Sequence, residues 1–334
     1  MRIILHPGAD GAGDARLAAW LDLNRPALAR CGIAAWTPAR LRDGMLAGLV
    51  SASDRPGPMG ARRARRSVGR IALGLAALER AGTHTLIVTE PRLIGSARAN
   101  LAARSLYPGL SGRLTRLARG FDGHAVTLAL GIRGYEGYWT EALARGLRGG
   151  RPLPDAQLLD HLTTQPRRWR TLVTRVAAAL PRAGLVVWTG ERHGDRPADL
   201  LGALLGHLPG GLAALPDRHP DGISLGALHG LMAWRGQKMP RFADPTAPWA
   251  PFGADRAAVL RAEYRRDLAW LRAGADGLAS YMDGPEGPAT RPDRAWMQTA
   301  GGQPPVTGIG GSRHGDQEGL AGPGRQGIAR PFAG

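Results

Sequence analysis

The chain has 334 residues, 43% of them hydrophobic, with 9 Trp, a formal net charge of +17 and a single cysteine. That length and apolar content suit one large α/β domain, or one such domain with an appendage. Cys31 alone excludes an intrachain disulfide framework and a multi-cysteine metal site, no apolar run reaches the ~20 residues of a membrane span, and Ile3–Leu5 is too short for a signal peptide, so a cytoplasmic protein is expected.

Arg2–His6 is the first predicted strand. It enters a turn with Gly8, Gly11 and Gly13, and the helix-period pattern Asp14–Arg30 follows. The dense run "ARRARRSVGR", residues 61–70, lies where the helix Arg65–Ala81 starts, and its Arg62, Arg63, Arg65 and Arg66 form either an anion patch or a solvated face. Of the 44 Lys+Arg, only Lys238 is lysine. With the many Ala and Gly, that skew reads as a codon-composition bias, and nucleic acid is not the expected partner. Thr85–Thr89, Ala125–Ile132 and Leu185–Trp188 read as further buried strands, each rich in Val, Ile and Leu. Helices Gly109–Arg119 and Arg168–Ala179 lie between them.

Strands alternating with helices imply βαβ units, hence a mostly parallel sheet flanked by helices in three layers. In such sheets ligands bind beyond the carboxyl ends of strands. The informative residues are therefore Pro7–Gly13, Glu90–Arg92, Arg133–Tyr138 and Gly190–His193. Later helices are expected over Asp199–Leu208, Leu225–Trp234 and "DRAAVLRAEYRRDLAWLRAGA", the last with Val259, Leu260, Tyr264, Leu268 and Leu271 on one face. Beyond Met282 a Gly-, Pro- and Gln-rich composition offers little to bury, which divides the chain into an α/β domain over 1–282 and a disordered tail over 283–334.

Strand, glycine turn and helix are also how many proteins hold a phosphate, through backbone N–H groups and the helix N-terminus. Here the turn has no lysine, and it offers Asp10 and Asp14. A carboxylate about 4–5 Å from a phosphate costs roughly 1 to 4 kcal/mol. Asp14 has an alternative place as the helix N-cap.

Five stretches together resemble the bacterial sulfotransferase-like proteins of the P-loop nucleoside-triphosphatase fold: "LHPGADGAGDARLAAWLDLNRPALARCGI", "LIVTEPRLIGSARANLAARSLYPG", "LALGIRGYEGYWTEAL", "PRRWRTLVTRVAAALPRAGLVVWTGE" and "LRAEYRRDLAWLRAGADGL". They span most of residues 2–278. The resemblance implies a P-loop α/β fold, 3′-phosphoadenosine 5′-phosphosulfate (PAPS) as sulfonate donor, adenosine 3′,5′-bisphosphate as product, no metal, and a small-molecule or glycan hydroxyl as acceptor. It places His6, Gly8, Gly11 and Gly13 in the donor loop, with Gly11 where the family has lysine and Arg16 as a substitute cation. Arg133 stands where the family holds the 3′-phosphate, and Thr140 lies beside the family's serine position, which here is Glu141. Arg133 alternatively pairs with Glu136 or Glu141. Glu90 is the first candidate for the base that takes the acceptor's proton, or else pairs with Arg92; Glu191 and His193 are weaker ones. Tyr135, Tyr138 and Trp139 have spacing suited to core packing or to an aromatic face for a base. Three functions follow: sulfonate transfer with a divergent loop, a sulfotransferase-fold binding protein without catalysis, or arginine-mediated polyanion binding.

Overall fold

The computed structural model describes residues 1–8, 13–41, 44–50, 57–216, 223–237 and 243–284. The expected tail beyond 284, together with Gly11, Asp10 and Ala12, lies outside these residues. Six parallel strands form one sheet: β1 Arg2–His6, β2 Ile33–Trp36, β3 Thr85–Thr89, β4 Ala125–Ile132, β5 Gly184–Thr189 and β6 Ser280–Met282, in the order β2-β3-β1-β4-β5-β6. β1 is central, with Ile4 opposite Ile87 on one side and Thr127 on the other. Ile3, Ile4, Leu86, Ile87, Leu128, Leu130 and Val187 are all fully buried, as strands covered on both faces require.

The helices are α1 Asp14–Leu23, α2 Arg25–Arg30, α3 Pro38–Leu41, α4 Pro58–Arg80, α5 Ala97–Ala103, α6 Leu110–Gly120 and α7 Tyr135–Arg148. Then come α8 Ala156–Thr164, α9 Trp169–Ala179, α10 Gly190–His193, α11 Pro197–Leu205, α12 Leu225–Trp234 and α13 Gly253–Arg272. The chain leaves β1 toward β2 and leaves β4 in the opposite direction, toward β5. Right-handed crossovers therefore put α1 and α7 on opposite faces of the sheet. α1 packs on α11, whereas α6 packs on α4 and α9, and α13 packs on α7, α8 and α9. The reversal falls between β1 and β4, and their carboxyl ends frame the place where open α/β sheets take ligands.

Four expectations are corrected. The helix Asp14–Arg30 is two helices, because Pro26 in the first turn of α2 has no N–H to continue the ladder, and Asn24 closes α1 instead. Its amide donates to Trp20 O and Ala213 O, which fixes the break. The second helix begins earlier than expected, at Pro58. Two edge strands, β2 and β6, join the four expected ones. On α13, Val259 is 46% exposed, and the buried face is Ala257, Leu260, Asp267 and Leu271. No helix among the described residues is long and apolar enough to cross a membrane.

Candidate functional site

Between β1 and α1 the described residues are Pro7, Gly8 and Gly13. Gly13 caps α1 in the left-handed region, at φ 102, and a Cβ there would lie 2.4 Å from Gly194 O. Only glycine fits both the backbone angle and the approach of the segment after α10. Asp14 is not the N-cap; it is the first helical residue, and α1 has no side-chain cap. Its side chain turns back over the strand end instead. A Cβ on Gly8 would fall 1.2 Å from Asp14 Oδ1. The carboxylate therefore fills the space beside Gly8, 3% exposed, at the positive end of α1.

The same end of the sheet buries two imidazoles against one indole. His6 closes β1, fully buried, with Nδ1 hydrogen-bonded to Thr89 Oγ1 at 3.1 Å. Its ring stacks on Trp188 at 5.3 Å and 17°. His193, on α10, meets the same indole edge-on at 6.4 Å and 81°. Burial pushes His6 down to about 4, against a smaller pull from its own backbone. Burial also lowers His193. The Met282 backbone opposes that shift without closing a hydrogen bond of ordinary geometry. At neutral pH the His6 ring is therefore uncharged and supplies no cation to an anionic ligand.

The other expected site residues are engaged within the fold. Arg16 donates through Nε to Asp195 O at 3.1 Å and through Nη1 to Pro216 O at 2.9 Å. Glu90 is 7% exposed, and its Oε1 accepts from the Arg92 N–H at 3.1 Å and from Arg92 Nε at 3.2 Å. Its own N–H donates to His6 O at 3.3 Å, so it belongs to the His6 cluster through the backbone. Arg133 pairs with Glu141, which Arg145 pairs from its other oxygen. Thr140 is half-buried beside Glu141 on α7. Glu136 pairs instead with Arg261 at 2.7 Å. The structure thus gathers His6, Gly8, Gly13, Glu90 and His193 at one edge, and Arg133 and Thr140 around Glu141.

Three residues carried no assigned role in the sequence: Thr89 and Trp188, which touch His6, and Asp267, which lies against Tyr135 and the start of α9. Asp267 accepts from the Tyr135 hydroxyl and from the Trp169 N–H, the latter at 3.2 Å, and so serves the first turn of α9 from a different helix. Burial raises its pKa. Tyr135 stacks on Trp169 at 5.6 Å and 8°. Glu191 does the corresponding work for α7: Oε1 accepts from Gly134 N at 2.7 Å and Oε2 from the Tyr264 hydroxyl at 3.0 Å. Tyr264 and Asp267 stand three residues apart on α13. That spacing puts both on one side of α13, facing two helix N-termini. Tyr135, Tyr138 and Trp139 are buried and pack within the core. Cys31 is exposed at the end of α2.

No family model matches the chain, and no curated protein and no solved structure is significantly similar to it.

Proposed function

We propose that this chain is a sulfotransferase-like P-loop protein that has given up sulfonate transfer and works by binding rather than by turnover. The order of the sheet supports the P-loop part: β1 lies between β3 and β4 and passes through a glycine turn into α1, at the point where crossovers reverse. One observation carries the loss of transfer. The space beside Gly8, where a loop of this kind admits an anionic oxygen, holds the carboxylate of Asp14.

The residues around it do not fit PAPS. A donor phosphate at Gly8 would meet a carboxylate in place of a cation, at a cost of roughly 1 to 4 kcal/mol. The nearest substitute, Arg16, is hydrogen-bonded elsewhere. Arg133 would have to leave Glu141 before gripping a 3′-phosphate, and Glu90 would have to leave Arg92 before taking a proton.

Titration calorimetry with adenosine 3′,5′-bisphosphate tests the reading. The wild-type chain is expected to bind no tighter than millimolar, and Asp14→Ser to gain about tenfold or more once the repulsion is removed. Micromolar binding by the wild type, or donor turnover that disappears in Arg133→Ala, would overturn it.

A further inference from the structure

We propose that the groove between α4 and α6 binds a free single-chain amphipathic anion, a long alkyl chain ending in a carboxylate or sulfate. The groove shares no residue with the β1–α1 turn, so the inference stands apart from the reading above.

The two helices touch where Ile71 meets Gly120, with Ile71 Cδ1 2.8 Å from the place a Cβ on Gly120 would take. Toward their N-termini they leave a groove of about 690 Å³, within the range of small-molecule sites. Leu49, Ala61, Ala64 and Val68 supply its apolar wall. These are short aliphatic side chains with no aromatic ring among them, a smooth surface that follows a flexible chain. Against the wall stand Arg65, Arg116 and Arg119. Arg116 is 8% exposed and donates through Nε to Leu49 O at 3.4 Å, which brings its guanidinium to the wall. Arg65 and Arg119 are exposed and form no ion pair among the described residues.

Charge selects the occupant. Among the described residues, none that lines the groove is Asp or Glu; Asp43 and Asp54 of the adjoining segments lie outside the described residues. An inorganic anion would use the arginines and leave the wall wet. A neutral or cationic chain would use the wall and gain nothing from the exposed guanidinium groups of Arg65 and Arg119. An alkyl anion uses both, burying methylenes while its head meets planar donors.

Calorimetry of the full chain with monomeric dodecanoate tests this. Saturable one-to-one binding is expected, with affinity rising about two- to fourfold per methylene from octanoate upward. Dodecyltrimethylammonium is expected to bind about tenfold more weakly, and the double variant Arg65→Ala/Arg119→Ala to lose about tenfold for dodecanoate. Thr115→Trp, an exposed position on the groove, should block it, and Ala61→Trp is the second blocking variant should the first misfold. The absence of saturable dodecanoate binding would overturn the proposal, as would equal affinity for the cationic chain. So would dodecanoate binding unmoved by both the arginine and the blocking variants. Retention on phosphatidylglycerol vesicles without binding of the monomeric anion would overturn it in favour of a lipid surface.

Discussion

The two strand ends that flank the crossover reversal treat their helix N-termini differently. At β4–α7 the first free N–H, that of Gly134, is answered from a distance by Glu191, whose other oxygen holds Tyr264. At β1–α1 the acid comes from the helix itself, and Asp14 folds back against Gly8. The first arrangement ties three elements together and is a packing device. The second sets the side chain of the helix's own first residue beside Gly8. Both helix ends thereby carry a carboxylate of the chain's own, where the positive end of the dipole favours one. The difference lies in the source of the carboxylate: at α7 it comes from α10, and at α1 from the first residue of the helix itself.

Breaking the packing side of this comparison should have the largest effect. Asp267→Ala removes a buried acceptor shared by Tyr135 and the start of α9, and a loss of about 3 to 5 kcal/mol is expected in urea unfolding. Asp267→Asn, which keeps one acceptor oxygen, should lose less. A loss under about 1 kcal/mol for the alanine variant would mean that the network does not hold α7, α9 and α13 together.

Acid should reach the other side. His6 has an ordinary pKa of 6.5 and is held at about 4 by burial. The unfolded chain therefore takes up a proton that the folded chain refuses between these values. Stability contributed by neutral His6 is complete above pH 6.5, falls as the pH drops toward 4, and is then exhausted, for a total of about 3 kcal/mol. His193 shifts in the same direction. Asp267, with its raised pKa, gains stability on protonation and partly offsets the loss. The difference between wild type and His6→Asn cancels that offset. The variant should show a visibly shallower decline across this window, and parallel curves would contradict the assignment.

Smaller effects sharpen the contrast. Glu191→Ala should cost about 1 to 2 kcal/mol, since it leaves an α7 N–H and a tyrosine hydroxyl without their acceptor. Arg133→Ala should cost about 1 kcal/mol or less, as expected of a partly exposed ion pair. Equal stability losses in Arg133→Ala and Glu141→Ala, with no change in nucleotide binding in either, would identify the pair as structural.

Much of this fold was legible from residue pattern. β1, β3 and β4 have the expected limits, because runs such as Thr85–Thr89 are apolar, β-branched and bounded by turn residues. β2 was not legible: "IAAW" is half alanine, a residue depleted in strands, and only pairing with β3 makes it one. β6 is three residues long, too short for any period to register. At the site, the residue types and their approximate places could be read, but not their partners. Nothing local says that Arg16 reaches Asp195 or that Asp267 serves Trp169, since those pairings depend on crossovers between distant segments. Asp14 was misplaced by one position. As the N-cap it would have bonded into its own helix; as the first helical residue its χ1 is free to aim at Gly8. Arg62, Arg63, Arg65 and Arg66 of α4 are all exposed.

The fold of Asp14 onto Gly8 also bears on how the protein endures in the cell. A nucleotide-holding scaffold draws part of its folding free energy from its ligand, so its melting temperature follows the concentration of that ligand. On the proposed reading, the Asp14 carboxylate beside Gly8 takes that place by covalent attachment, and the melting temperature would then not rise with added nucleotide.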